Sequence, residues 1–99
     1  MAEVINVVAL VKVKEEHIKD AEPIVKELAE ASRKEEGVKR YEIYRVNEKK
    51  GVYVFLEQYA SVAAFEAHKK SEHFIKGISA AKPFFVEDPV IVSLEKEEI

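Results

Sequence analysis

From Glu3 to Val13 nearly every residue is β-branched or aliphatic, a run that predicts a strand covered on both faces. Its alternate positions differ: Ile5, Val7, Ala9, Val11 and Val13 are uniformly aliphatic, whereas Val4, Asn6, Val8 and Leu10 include an amide. Ile18, Ala21, Val25, Leu28 and Ser32 then recur at three- and four-residue spacing, predicting a helix from about Glu15 to Glu36 with Gly37 as its stop. Pro23 argues for a start nearer Ala21 or Glu22.

Residues 38–46 read as a second strand, NEKKG as a hairpin connection, and residues 52–60 as a third strand with two unlike faces. Val52, Val54 and Leu56 are aliphatic, while Tyr53, Phe55, Glu57 and Tyr59 form an aromatic face around one carboxylate. Ser61 is placed to cap a short helix through Phe65 and His68. Ser71 is placed to cap a second helical piece through Phe74, Ile75 and Ile78, ending before Pro83. A last strand begins at Pro89, and the polar tail frays. The order β-α-β-β-α-β predicts an α+β, ferredoxin-like domain, a four-stranded antiparallel sheet with helices over one face. Val8, Leu10, Tyr53, Phe55, Val90 and Val92 are expected on the other face, too apolar to leave in water, so a homodimer joined sheet to sheet is expected.

Ninety-nine residues make one domain with a modest core, and 47% hydrophobic with 35% charged residues is a folded composition. The net charge of −3 is spread in mixed sign, which sets nucleic acid aside as a partner. The first residues lack a basic start and a cleavage site and meet Lys12 far short of a membrane span, so no membrane and a cytoplasmic location are expected. No cysteine is present, which excludes disulfides and thiolate chemistry.

The candidate chemistry gathers in AFEAHKKSEHF, residues 64–74, which holds two of the chain's three histidines. Five residues is about 140° of a continuous helix, so His68 and His73 share a face only if the helix breaks. Ser71 supplies such a break, and His73 then becomes pocket rim or a helix-start residue.

Asn6, the stretch VYVFLEQYAS and above all FEAHKKSEHF resemble the antibiotic biosynthesis monooxygenase domain over about Val4 to Val92. Glu57, Tyr59, His68, Ser71, His73 and Phe74 match its pattern, with Glu72 where proline is frequent and Tyr59 where tryptophan is frequent. The resemblance implies a dimeric α+β barrel and a pocket between sheet and helices. It also implies a choice among oxidation of a quinol or electron-rich aromatic by dioxygen without a cofactor, heme degradation, and isomerisation or degradation of a phosphorylated signalling sugar. The absence of tryptophan departs from the heme-degrading branch.

A cofactor-free oxygenation needs a base that deprotonates a phenol or enol, so that the anion can pass an electron to oxygen. His68 suits that base, Glu57 its orienting partner, and Asn6 a group that binds substrate oxygen. Tyr53, Phe55, Tyr59, Phe65, Phe74, His73 and one of Tyr41 and Tyr44 would supply substrate-binding walls. Bland readings stand beside these: His68 in a structural pair, Asn6 satisfied by a neighbouring side chain, the aromatic face as dimer core, and the whole chain as a non-catalytic binding module. A metal would draw on His68, His73, Glu57 and Glu72, whose spacing matches no compact ligand signature, so none is expected.

Overall fold

A computed structural model describes residues 4–99. The element order is β1 (Ile5–Lys12), α1 (Ile18–Arg33), β2 (Val38–Arg45), β3 (Val52–Tyr59), α2 (Val62–Lys70), α3 (Glu72–Ala81) and β4 (Val90–Leu94). The strands form one antiparallel sheet in the order β2-β3-β1-β4, the ferredoxin-like arrangement, with the helical segment after β3 divided in two. The expected opening of β1 at Glu3 lies outside the described residues.

Ser71 divides that helical segment. Its backbone is extended, its Oγ accepts from Phe74 N at 3.3 Å to start α3, and the same hydroxyl donates to His68 O at 2.6 Å to close α2. Ser61 caps α2 by accepting from Ala64 N at 3.1 Å. These two short polar side chains meet donors and carbonyls that a helix terminus leaves unpaired.

Two expectations about α1 change. The helix begins at Ile18, after a 3-10 turn over Glu15–His17, and carries Pro23 inside it. Lys19, whose carbonyl the missing Pro23 N–H leaves free, is exposed, so water can serve there. Gly37 does not end α1, which stops at Arg33. It lies in the following turn, where a Cβ would come within 2.4 Å of Ala64 Cβ, so glycine allows the turn to press against α2. Ala60 N donates to Gly37 O at 2.8 Å and fixes that approach.

Strand register settles which residues share a face. Val7 pairs with Glu57, Ala9 with Phe55 and Val11 with Tyr53, and β2 adds Tyr41 opposite Glu57 and Ile43 opposite Phe55. This set faces the helices and contains the buried core of Val7, Ala9, Val11, Tyr41, Phe55 and Tyr59. Asn6, Val8, Leu10, Val54, Leu56, Val90 and Val92 share the open face. Tyr53 and Phe55 therefore leave the open face to which the alternation assigned them; β3 turns its aromatic side toward the helices. Tyr41 points inward, and Tyr44 lies on the open face with its hydroxyl donating to Glu42 at 3.1 Å.

Candidate functional site

His68, on the last turn of α2, is 1% exposed. The rings of Phe74, Tyr59 and Tyr41 surround it at centroid distances of 5.0, 5.3 and 5.6 Å. Its Nδ1 lies 2.7 Å from Oε2 of Glu35, in the turn between α1 and β2. His73, on the first turn of α3, brings Nε2 to 2.6 Å from the same oxygen. The helix break at Ser71 thus reunites the two histidines, with ring centroids 6.1 Å apart. A carboxylate only accepts, so a proton sits on each of those ring nitrogens and the tautomers follow. Burial lowers the His68 pKa below the usual histidine range, opposed by its bond to Glu35.

Glu57 is not the partner of His68. Its Oε1 accepts a hydrogen bond from the Tyr59 hydroxyl, two residues along the same face of β3. Burial pushes the Glu57 carboxyl up to about 7, with the Tyr59 bond opposing. Burial first, then the Glu57 bond and charge, raises the Tyr59 phenol above its ordinary value. Burial also raises Tyr41, and the charge of Glu57 adds to it. The Ser32 hydroxyl eases that shift without reaching hydrogen-bond geometry; its Oγ is fully buried and has no partner among the described residues.

Two recesses meet behind β3. A cavity of about 30 Å³, room for a single water, is lined by Glu57, Tyr41, Phe55, Phe74, Phe85 and Ile91 among others. A groove of about 620 Å³ runs between α1 and the sheet, past Tyr53, Phe55, Ile43, Val25 and Arg33. Val11, Val25 and Phe55 border both, so the Phe55 ring is part of the wall between groove and cavity. Arg33 is held there by its Nε donating to Tyr41 O at 2.9 Å.

The remaining expected site residues divide. Tyr53, Phe55, Tyr41 and Phe74 line the groove or the cavity. Phe65 packs on Tyr59 at 4.9 Å with Lys69 over its ring, and lines neither recess. His73 lines a separate groove of about 340 Å³ between α1 and α3. Asn6 is on the open face, where Gln58 Nε2 donates to its Oδ1 at 3.1 Å, so Asn6 does not join His68 and Glu57 in one site. Glu35 was missed, since nothing in RKEEG distinguishes it from the exposed Glu36.

Among the described residues no helix is long and apolar enough to cross a membrane. Residues 4–80 match the family model described as antibiotic biosynthesis monooxygenase. A crystallised Caulobacter crescentus protein put forward as an antibiotic biosynthesis monooxygenase is 32% identical, with 98% of this chain and 92% of that chain covered and a TM-score of 0.91. A second crystal structure, of an antibiotic biosynthesis monooxygenase, is 26% identical over 94% of this chain and 98% of that one, with a TM-score of 0.90. A conserved protein from Methanosarcina mazei is also 26% identical, with 95% and 93% covered and a TM-score of 0.90. No curated protein matches the chain.

Proposed function

Starting from the fact that this chain belongs to the antibiotic biosynthesis monooxygenase family, we propose that it oxidises a quinol or small electron-rich aromatic with dioxygen, the substrate itself being the reductant. The observation that carries this reading is a carboxyl raised to about 7, Glu57, on the wall of an apolar cavity that meets a groove of ligand size at Phe55. A planar ring lies in the groove against Tyr53 and Phe55, and displacement of the Phe55 ring opens the way to Glu57. Glu57 takes the phenolic proton, and Arg33 offsets the charge of the phenolate. One oxygen atom replaces a ring hydrogen on a substrate carbon and the other leaves as water, the four electrons coming from the substrate, which ends as a hydroxyquinone.

His68 changes role in this reading. It lines neither the groove nor the cavity, and its ring packs behind Tyr41, Tyr59 and Phe74, so it supports the pocket wall and stands away from the substrate proton. The walls of the groove, Val11, Ile43, Val25 and Phe55, suit an aromatic ring better than a phosphorylated sugar. Two chains joined through their open sheet faces complete the proposed enzyme.

Oxygen uptake with a panel of quinols and hydroxylated aromatics tests the reading, comparing wild type with Glu57→Gln and Asn6→Ala. We expect turnover in wild type and Asn6→Ala and a loss of about 100-fold or more in Glu57→Gln, within the range one general base contributes. Turnover that survives in Glu57→Gln would remove the proposed base. No uptake with any panel member, alongside a ligand-induced rise in Tm, would make the chain a binding module.

A further inference from the structure

We infer that Glu35, His68 and His73 form a binding site for one divalent first-row transition ion of the kind imidazole and carboxylate ligands favour, zinc being the natural probe. One donor atom from each residue lies within 4.8 Å of the others, and the three come from the turn after α1, the end of α2 and the start of α3. Two imidazoles and one carboxylate are a ligand set suited to zinc, ferrous iron or nickel, with positions left over for water.

The site is assembled with little freedom. The rings of Tyr41, Tyr59 and Phe74 fix the plane of His68, and Ser71 sets the start of α3 that carries His73. Both ring nitrogens already point at one carboxylate oxygen, from 2.7 and 2.6 Å. Ligands about 2.0–2.1 Å from a tetrahedral zinc stand about 3.3 Å apart, so each nitrogen–oxygen distance lengthens by about 0.6–0.7 Å while the three donor atoms, already within 4.8 Å of one another, settle around the ion. The ion takes the place of the proton on each of those nitrogens, and each neutral imidazole then carries its proton on its other ring nitrogen. Entry is through the 340 Å³ groove between α1 and α3, which His73 lines together with the carboxylates of Glu27 and Glu72. Lys76 lines the same groove, so two carboxylates against one ammonium leave the mouth net acidic, which favours a cation. His17 is elsewhere, paired with Asp20 at 2.9 Å, and serves as an internal control.

The ion would tie three consecutive segments together behind His68. Its binding does not depend on the oxygenase reading, because it is measured without substrate.

The experiment is calorimetric titration of zinc chloride into untagged, chelator-treated protein, with cobalt(II) absorption as a second measurement. Wild type and His17→Ala are expected to bind one ion per chain at micromolar affinity or tighter, with a rise in Tm and cobalt d–d bands. His73→Ala, whose side chain is 28% exposed and so tolerates removal, and Glu35→Gln are each expected to weaken binding at least tenfold and lose the cobalt spectrum. Circular dichroism checks that both variants fold. Absence of wild-type binding, or stoichiometric binding of unchanged affinity in folded His73→Ala, overturns the site.

Discussion

Glu35 Oε2 accepts the Nδ1 proton of His68 across 33 residues of sequence, at 2.7 Å and with the imidazole 2% exposed at its side chain. The bond joins the turn after α1 to the end of α2. Removing the acceptor strands a buried N–H, which costs about 1–3 kcal/mol, the upper end applying to a charged acceptor. Glu35→Ala is expected to lower stability by about 2–3 kcal/mol in chemical denaturation. Glu36→Ala, one residue on and exposed, should change it by no more than about 0.5 kcal/mol. Equal effects of the two substitutions would show that the His68–Glu35 bond contributes nothing net.

The buried Glu57 carboxyl makes a second, pH-dependent prediction. Its ordinary value of 4.5 rises to about 7 in the fold, so between these values the folded chain holds a proton that the unfolded chain has lost. Stability from this group is therefore complete below about pH 4.5 and falls as pH rises through about 7, by on the order of 3 kcal/mol. His68 acts in the opposite sense: its pKa is lowered, so its contribution is present above the usual histidine range and is lost as pH falls. Subtracting the stability of Glu57→Gln from that of wild type cancels His68. The difference should decline from pH 5 to pH 8 and level off beyond. A flat difference would mean that Glu57 titrates normally.

Periodicity made the elements legible, because each strand and helix alternates or repeats its apolar positions clearly enough to be placed within a few residues. The caps at Ser61 and Ser71 were legible for the same local reason: a hydroxyl before a helical run meets nearby orphan N–H groups. Partnership across the sheet was not. Tyr53 and Phe55 have the same alternation whichever face they turn to the helices, and only the register with Val11 and Ala9 decides it. Glu57 and His68 both match the family pattern, which makes them an expected pair. Yet Tyr59, on the same side of the strand, claims Glu57 first. Glu35 carries no local signal, since its role depends on a turn that α2 closes from 30 residues away in sequence.

That turn depends on Gly37. A methyl group there would meet Ala64 Cβ at 2.4 Å, and a helix methyl has no rotamer by which to move aside. Gly37→Ala is expected to destabilise by about 1–3 kcal/mol, as for overpacking of a filled site. Ala64→Gly should cost about 1 kcal/mol by itself through helix propensity. In the double variant the clash is gone, so the combined loss should be smaller than the sum of the singles. Additive losses in denaturant melts would place the strain elsewhere. Because Glu35 is two residues before Gly37, zinc affinity in Gly37→Ala should fall as well and recover in the double variant.

The open face of the sheet supports the last prediction, assembly into a dimer. Val90, Val92 and Leu94 are 51, 45 and 48% exposed, and they continue a surface with Val8, Leu10, Val54 and Leu56 across three strands. A contiguous apolar face of that kind is costly in water, and a second copy offers the same chemistry in return. Arg40, Glu42 and Tyr44 form a hydrogen-bonded polar group at the β2 edge and so set a rim on one side. Val92 pairs with Val8 within this surface, so Val92→Asp would bury a carboxylate in the interface without touching the helix-side core. Sedimentation of wild type at micromolar concentration should give twice the chain mass, and Val92→Asp should give the chain mass with its secondary structure intact. A wild-type chain that sediments as a monomer would leave the face open and end the two-chain reading, whereas a dimer that survives Val92→Asp would move the interface to another surface.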